Sequence, residues 1–207
     1  MRLNRTVFQY RVMSATILLV LTTIFFPLPA ATNVASPTAS SIDFEHSVLT
    51  VHVYRSGLFS FAGDNHEIRA AIASGTVDEV ARAAEFTVDV REMRVLDPKL
   101  SADKRSQVQE KMLGPEVLDA ARFPEIKFHS TSVEQKNGNQ LFVTGELSLH
   151  GETRAIHVPL EASAHRFRGS TTLKQTDFGI KPISVGGGTI KVKDEVGIDF
   201  DITTRQQ

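Results

Sequence analysis

The chain has 207 residues, 41% of them hydrophobic and 23% charged, with a formal net charge of -1, the profile of an ordinary globular domain. With no basic excess, two Tyr and no Trp, nucleic-acid binding has little support. No Cys is present, which excludes disulfides, thiolate metal sites, Cys nucleophiles and a lipid-modified bacterial N-terminus.

The N-terminus reads as a targeting segment. Arg2, Arg5 and Arg11 precede an apolar run from Val12 to Phe26, interrupted by Ser14, Thr22 and Thr23 and closed by Pro27 and Pro29. Positive charge, a short apolar core and then small residues describe a secretory signal. Pro29-Ala-Ala31 and Val34-Ala-Ser36 are the nearest approximations to a cleavage site. An uncleaved anchor is the alternative, because the run approaches the ~20 residues a spanning helix needs. Residues 1–31 are therefore expected to be signal or anchor, residues 32–41 a linker rich in Ala, Ser, Thr and Pro, and residues 42–204 one domain.

Period-two alternation predicts strands through that domain. The first covers Ile42 to Tyr54, with Leu49, Val51 and Val53 on one face. Ser56-Gly-Leu-Phe-Ser-Phe-Ala-Gly63 is a connection carrying two Phe. A second strand, introduced by Asp64-Asn-His-Glu67, puts Ile68, Ala70 and Ile72 on one face, and a third puts Phe86, Val88 and Val90 there. The pattern then changes. Ser101 can cap a helix from about Ala102-Asp103 to Leu113, ended by Gly114-Pro115, with Val108, Met112 and Leu113 as a narrow apolar stripe. This helix is expected to lie as a lid over one end of the fold.

Asn137-Gly138 suits a type I′ hairpin and Gly151-Glu152 a type II′ turn. Two-residue loops at both would pair Ile126 with Leu149, Phe128 with Leu147, Ser130 with Gly145 and Ser132 with Val143. They would also pair Leu147 with Ile156, Gly145 with Val158, Val143 with Leu160 and Leu141 with Ala162. Every pair falls on one apolar face. Ser130, Gly145, Ser132 and Ala162 put small side chains on that face. Packing alone leaves two readings open, a hollow interior or a narrow barrel in which small residues accommodate large neighbours. A seventh strand covers Ser170 to Gln175, and Gly186-Gly-Gly188 leads into the last.

That last strand runs from Ile190 to Ile202. Apart from Asp194, its even positions are apolar, while Lys191, Lys193, Glu195, Asp199 and Asp201 fill the odd ones. At ~3.3 Å per residue it would extend roughly 40 Å. Strands with one wet and one dry face must curl to cover the dry side, so the fold class is all-β, an eight-stranded antiparallel barrel with a short helical insertion between strands 3 and 4. Asp194 marks either the rim or a bulge.

Among seven His, His52, His129 and His157 face outward, His150 flanks a turn, and His46 and His165 are isolated, so solvated surface is the reading for all six. His66 sits among Asp64, Asn65 and Glu67. Alternation sends His66 and Glu67 to opposite faces, so a metal is not expected, and hydrogen bonding at a barrel mouth is. No Gly-x-Ser-x-Gly elbow or Gly-Lys-Ser/Thr phosphate loop occurs. Catalytic residues are accordingly none, with a small-substrate enzyme built on Asp64, His66 and Arg105 as the rival, and an envelope interaction module with a solid barrel as a third reading.

Several stretches resemble the YceI-like family: Ser56-Gly-Leu-Phe, Asp64-Asn-His-Glu-Ile68, Leu113-Gly-Pro-Glu-Val-Leu-Asp119, Arg122-Phe-Pro-Glu-Ile-Lys-Phe-His-Ser-Thr-Ser132, Val143-Thr-Gly-Glu-Leu-Ser-Leu-His-Gly151, Asp177-Phe-Gly-Ile180 and Lys191-Val-Lys-Asp-Glu195. The resemblance covers about Ser41 to Thr203. It implies a lipocalin-like barrel, exported to the periplasm, that binds an isoprenoid, an isoprenoid quinone or another long-chain amphiphile. No covalent cofactor is implied, and bound isoprenoid quinone or polyprenyl lipid is the expected guest. The expected partner is that hydrophobic small molecule, with no nucleic acid, membrane contact only through the signal or anchor, and a homodimer left open. The wall is expected from Val51, Ile68, Ile72, Phe86, Val88, Phe128, Val143, Leu147, Val158, Leu160, Ile198 and Phe200, with His66 and Arg69 at the head group.

Overall fold

The computed structural model describes residues 39–56, 65–185 and 190–205. The targeting segment, most of the linker, the connection at 57–63, Asp64 and the glycine run 186–188 lie outside the described residues. Among the described residues, twelve strands form one sheet: β1 Ser40–Ser41, β2 Val48–Ser56, β3 His66–Arg69, β4 Ile72–Asp78, β5 Ala83–Asp89, β6 Arg94–Val95, β7 Glu125–Gln135, β8 Gln140–Leu149, β9 Glu152–Ser163, β10 Arg166–Lys174, β11 Ser184–Val185 and β12 Ile190–Thr203. Their order is β1-β4-β5-β7-β8-β9-β10-β12-β2-β3-β6, with β11 beside β12 and every pairing antiparallel. One helix, α1 (Ala102–Leu113), follows β6.

The all-β antiparallel class holds, and the sheet curls into a half-barrel whose concave face is apolar. The expected eight strands give way to twelve, because the chain changes partners where alternation alone reads one continuous strand. At Ala70-Ala71 it leaves β3, which pairs with β2, and starts β4, which pairs with β5. Ile68, Ala70 and Ile72 are all buried as expected, but they serve two strands. The first strand starts at Val48 rather than Ile42, because the Asp43 carboxylate accepts from the Glu45 and His46 backbone N–H groups and turns the chain away. Val90 likewise leaves β5 for a short 3-10 turn capped by Asp89.

Ser40 and Ser41, placed in the linker by composition, form β1 and tie β4 to the C-terminal end of β12. β1 pairs with Thr76 and Val77 of β4. On its other side Ile42 bridges Thr204, and the Asp43 N–H donates to the Thr203 carbonyl at 2.8 Å. Buried Ser47 continues this join with its hydroxyl, which accepts from Thr203 N at 3.0 Å.

The helix has the expected bounds, with the Ser101 hydroxyl accepting from Lys104 N and Gly114 following the last turn. By strand count it falls between β6 and β7, not strands 3 and 4. Its Gln109 completes the edge of β6: Oε1 accepts from Val95 N and Nε2 donates to the Met93 carbonyl, both at 2.8 Å. A side-chain amide thus takes the place of a neighbouring strand and leaves no open ladder there.

Hairpin chemistry explains where the expected register fails. The β7–β8 pairing holds from Phe128-Leu147 to Ser130-Gly145, then slips by one at a bulge beside Thr131, giving Ser132-Thr144 and Val133-Val143. The loop has three residues, 137–139, since Lys136 N bonds the Gln140 carbonyl. Loop and bulge each add one residue and cancel. The β8–β9 register differs by two, with Val143 opposite Val158, Gly145 opposite Ile156 and Leu141 opposite Leu160. His150 and Gly151 both have positive φ, 53° and 82°, so they are the central pair of a type I′ turn instead of Gly151-Glu152 in a type II′ turn. A two-residue shift preserves facing, which is why the apolar face survives it.

In β12 the pairing with β2 shifts between Val192 and Val196. Asp194 therefore sits in a bulge, where its carboxylate accepts from the Thr176 hydroxyl at 2.7 Å and Thr176 N at 2.9 Å. Nearer the chain end, Asp201 clamps β12 to β10: Arg166 donates to both of its oxygens at 2.6 Å and Arg168 to one at 2.9 Å. The Arg166 hydrogen bond, with a smaller contribution from Arg168, holds the Asp201 carboxyl below the usual carboxylate range. A depressed folded-state pKa gives stability that is present above the unfolded value, ~3.9, and lost as pH falls through the folded one. Asp201→Asn should therefore lower the urea midpoint at neutral pH, and the gap to wild type should close as wild type loses stability below about pH 4. Chemical denaturation across that range checks it, and a gap independent of pH would contradict the clamp.

Candidate functional site

The concave face carries two apolar clusters. One is built on Ile42, Ile68, Val88, Val90, Met93 and Met112, the other on Phe128, Val143, Leu147, Val158 and Phe178. Between them lies a cavity of about 650 Å³, within the roughly 300–1,000 Å³ of small-molecule sites. Eleven of the twelve residues expected on the wall line it: Val51, Ile68, Phe86, Val88, Phe128, Val143, Leu147, Val158, Leu160, Ile198 and Phe200. Ile72 is buried in the first cluster and is not part of the lining.

Glycines create this space. A Cβ on Gly145 would lie 2.5 Å from the Phe128 ring, and one on Gly169 would lie 2.7 Å from the Phe200 ring and 2.4 Å from the Pro159 carbonyl. The two rings therefore pack over glycines of the neighbouring strands. Phe86 stacks on Phe128 with centroids 5.3 Å apart. The small residues on this face thus accommodate rings, as the narrow-barrel reading holds, while the interior stays open, as the hollow one does. Ser130 is small for another reason, its hydroxyl accepting from Ala84 N at 2.8 Å.

One end of the cavity is closed by elements outside the long strands. Met112 from α1, Val117 and Leu118 beyond it, and buried Phe178 and Ile180 all line it. Alternation does not reach these residues, although the apolar stripe of α1 indicates that the helix covers something. At the opposite end the lining turns polar, with Asp78, Glu79 and Arg82 from the β4–β5 turn and Gln135 and Asn139 at the β7–β8 loop. These residues were not singled out in the sequence, because their role depends on which hairpins gather at the open end.

Neither expected head-group residue lies against the cavity. His66 is held by Asp97, Nδ1 to Oδ2 2.6 Å, and the other Asp97 oxygen accepts from Glu67 N at 2.8 Å. Asp97 is buried and so ties β3 to the segment before α1. Arg69 is exposed and also absent from the lining. The rival catalytic set does not assemble either: Asp64 is outside the described residues, and no contact joins His66 to Arg105 among them. Two other His depart from solvated surface. His150 is half-buried, 3.2 Å from the Phe178 carbonyl and with its ring tilted against Phe123 at 4.6 Å between centroids, and His165 Nδ1 is enclosed 3.5 Å from Glu79 Oε1.

The family model for the YceI-like domain matches residues 36–204. The chain belongs to the YceI-like family. Similar proteins include a "UPF0312 protein" of Shewanella denitrificans, 33% identical over 110 residues (48% of this chain, 57% of that one). Another of that name from Pseudomonas savastanoi is 38% identical over 94 residues, or 41% and 47% of the two chains. The chain thus spans about half the length of these curated relatives. Among solved structures, Burkholderia cenocepacia BcnA matches with a TM-score of 0.57 at 20% identity, over 78% of this chain and 98% of BcnA. That likeness is one of fold.

In this YceI-like sheet, the Phe128–Gly145 contact sets the cavity wall. Gly145→Ala should push the ring off the strand, costing about 1–3 kcal/mol as overpacked cores do. Urea titration of both proteins checks this, and an unchanged midpoint would show that the ring moves freely.

Proposed function

We propose that this protein is an exported binding protein that works in the periplasm and holds an isoprenoid, an isoprenoid quinone or another long-chain amphiphile inside the curled sheet. The observation that carries this reading is the apolar cavity of about 650 Å³ between the two clusters. A continuous lining of Val, Leu, Ile and Phe offers a guest little to hydrogen-bond with, so it favours hydrocarbon over a polar metabolite. Burying ten methylenes gives up to ~8 kcal/mol at ~0.8 kcal/mol each, before association costs are subtracted. Affinity then needs neither a covalent cofactor nor a catalytic group.

The closed end and the polar end also suit an amphiphile, which needs a dry region for its chain and a wetted one for its head. A solid interaction module would have no use for the interior space. The printed names of the relatives carry no activity.

The test is native mass spectrometry of protein purified from a membrane-containing host, followed by titration with a prenyl alcohol and a fluorescent alkyl probe. Wild type should carry or take up such a molecule. Leu160→Trp, which fills the cavity from β9, should weaken uptake by roughly ten-fold or more while keeping a wild-type circular dichroism spectrum. Protein that is uniformly ligand-free and takes up neither probe would overturn the reading.

A further inference from the structure

Polar side chains reach the cavity at two places, and their commitments differ. At the closed end, Gln175 donates to the Lys193 carbonyl, and Lys174 is exposed, while Asp194 is held below the usual carboxylate range chiefly by its hydrogen bonds from Thr176. At the open end the acids are engaged. Asp78 accepts from Val80 N at 2.9 Å and Ala81 N at 2.7 Å, and Glu79 faces His165. Gln135 donates to the Gly138 carbonyl. Arg82 stands apart. It lines the cavity, is exposed at the rim, and has no carboxylate within 4 Å among the described residues.

Its backbone is also unusual, with φ of +53°, a conformation that favours Gly or Asn over a long side chain. The turn's geometry would be better served by glycine, so the guanidinium is the reason to look for a role.

We propose that Arg82 receives the head group of the bound amphiphile and that this head group is a carboxylate, which orients the guest with its chain toward α1 and its polar end at the β4–β5 turn. This rests on the cavity being a lipid site. A guanidinium fork meets a carboxylate with two parallel hydrogen bonds, and one uncommitted cation at this rim balances one negative charge, Lys174 lying at the other end of the cavity. A phosphate monoester carries about -1.5 to -2 at neutral pH, and its excess would face Asp78 and Glu79. An amine would meet Arg82 as a like charge.

The experiment uses delipidated full-length protein and an uncharged fluorescent alkyl probe displaced by hexadecanoic acid, hexadecanol or hexadecyl phosphate at about pH 8, where the acid is ionised. Wild type should bind the acid roughly ten-fold more tightly than the alcohol, as expected of a charge-assisted pair. Arg82→Lys should keep most of that preference. Arg82→Gly should abolish it while binding the alcohol as wild type does, and because glycine suits the positive φ, this variant should melt no lower than wild type. Equal binding of acid and alcohol by wild type, an unaltered preference in Arg82→Gly, or tighter binding of the phosphate would each overturn the proposal while the cavity reading stood. Failure of every alkyl compound, probe included, to bind wild type would overturn the lipid-site reading and this proposal with it.

Discussion

The structure depends on phenylalanine rings laid against glycines. A curled sheet of strands with apolar inner faces would ordinarily fill its own interior, because close packing rewards side chains that meet across the middle. Phe128 over Gly145 and Phe200 over Gly169 remove that option at two points of the wall. Each ring packs over a glycine of the adjacent strand, gaining burial and dispersion there. The same contact that stabilises the wall therefore keeps the cavity.

The ends of the sheet follow from edge chemistry. An unpaired strand edge invites pairing with another chain, and this fold covers its edges with short local devices. Gln109 closes β6 with one side chain, while β1 ties β4 to the end of β12 through backbone bonds, with Ser47 beside it. Because α1 must approach β6 for Gln109 to reach, Met112 is carried into the cavity lining at that end. Edge protection and the closed floor are one arrangement. The end where the β4–β5 and β7–β8 turns gather carries the acidic side chains of the lining, Asp78 and Glu79, together with Arg82.

The wall was legible in the sequence because a period of two leaves each side chain one of two faces. Val51, Val143, Leu160 and Phe200 could be assigned inward from alternation alone, and a register wrong by two residues did not disturb them. The helix was legible to the residue, since Ser101 and Gly114 are local signals. Turn type was harder. Gly151 fits the second position of a type I′ turn as readily as the first of a type II′ turn, and only the backbone of His150 decides between them. Bulges beside Thr131 and at Asp194 change pairing without changing composition. His66 and Arg69 were expected at the head group but do not line the cavity, because alternation does not say which hairpins gather at its polar end.

These differences separate what the fold demands from what a ligand demands. The half-barrel requires alternation, a few glycines beneath rings and covered edges, conditions that widely different sequences can meet. BcnA shares the architecture at 20% identity. None of those conditions constrains the residues between β4 and β5, whose turn is held by Asp78 bonding to backbone N–H groups that any residue but proline supplies. Side chains at 79–82 are therefore free to vary without cost to the wall. Under the proposed lipid-binding reading, selectivity among guests would be most economically placed there, at the rim, and affinity for hydrocarbon in the lining.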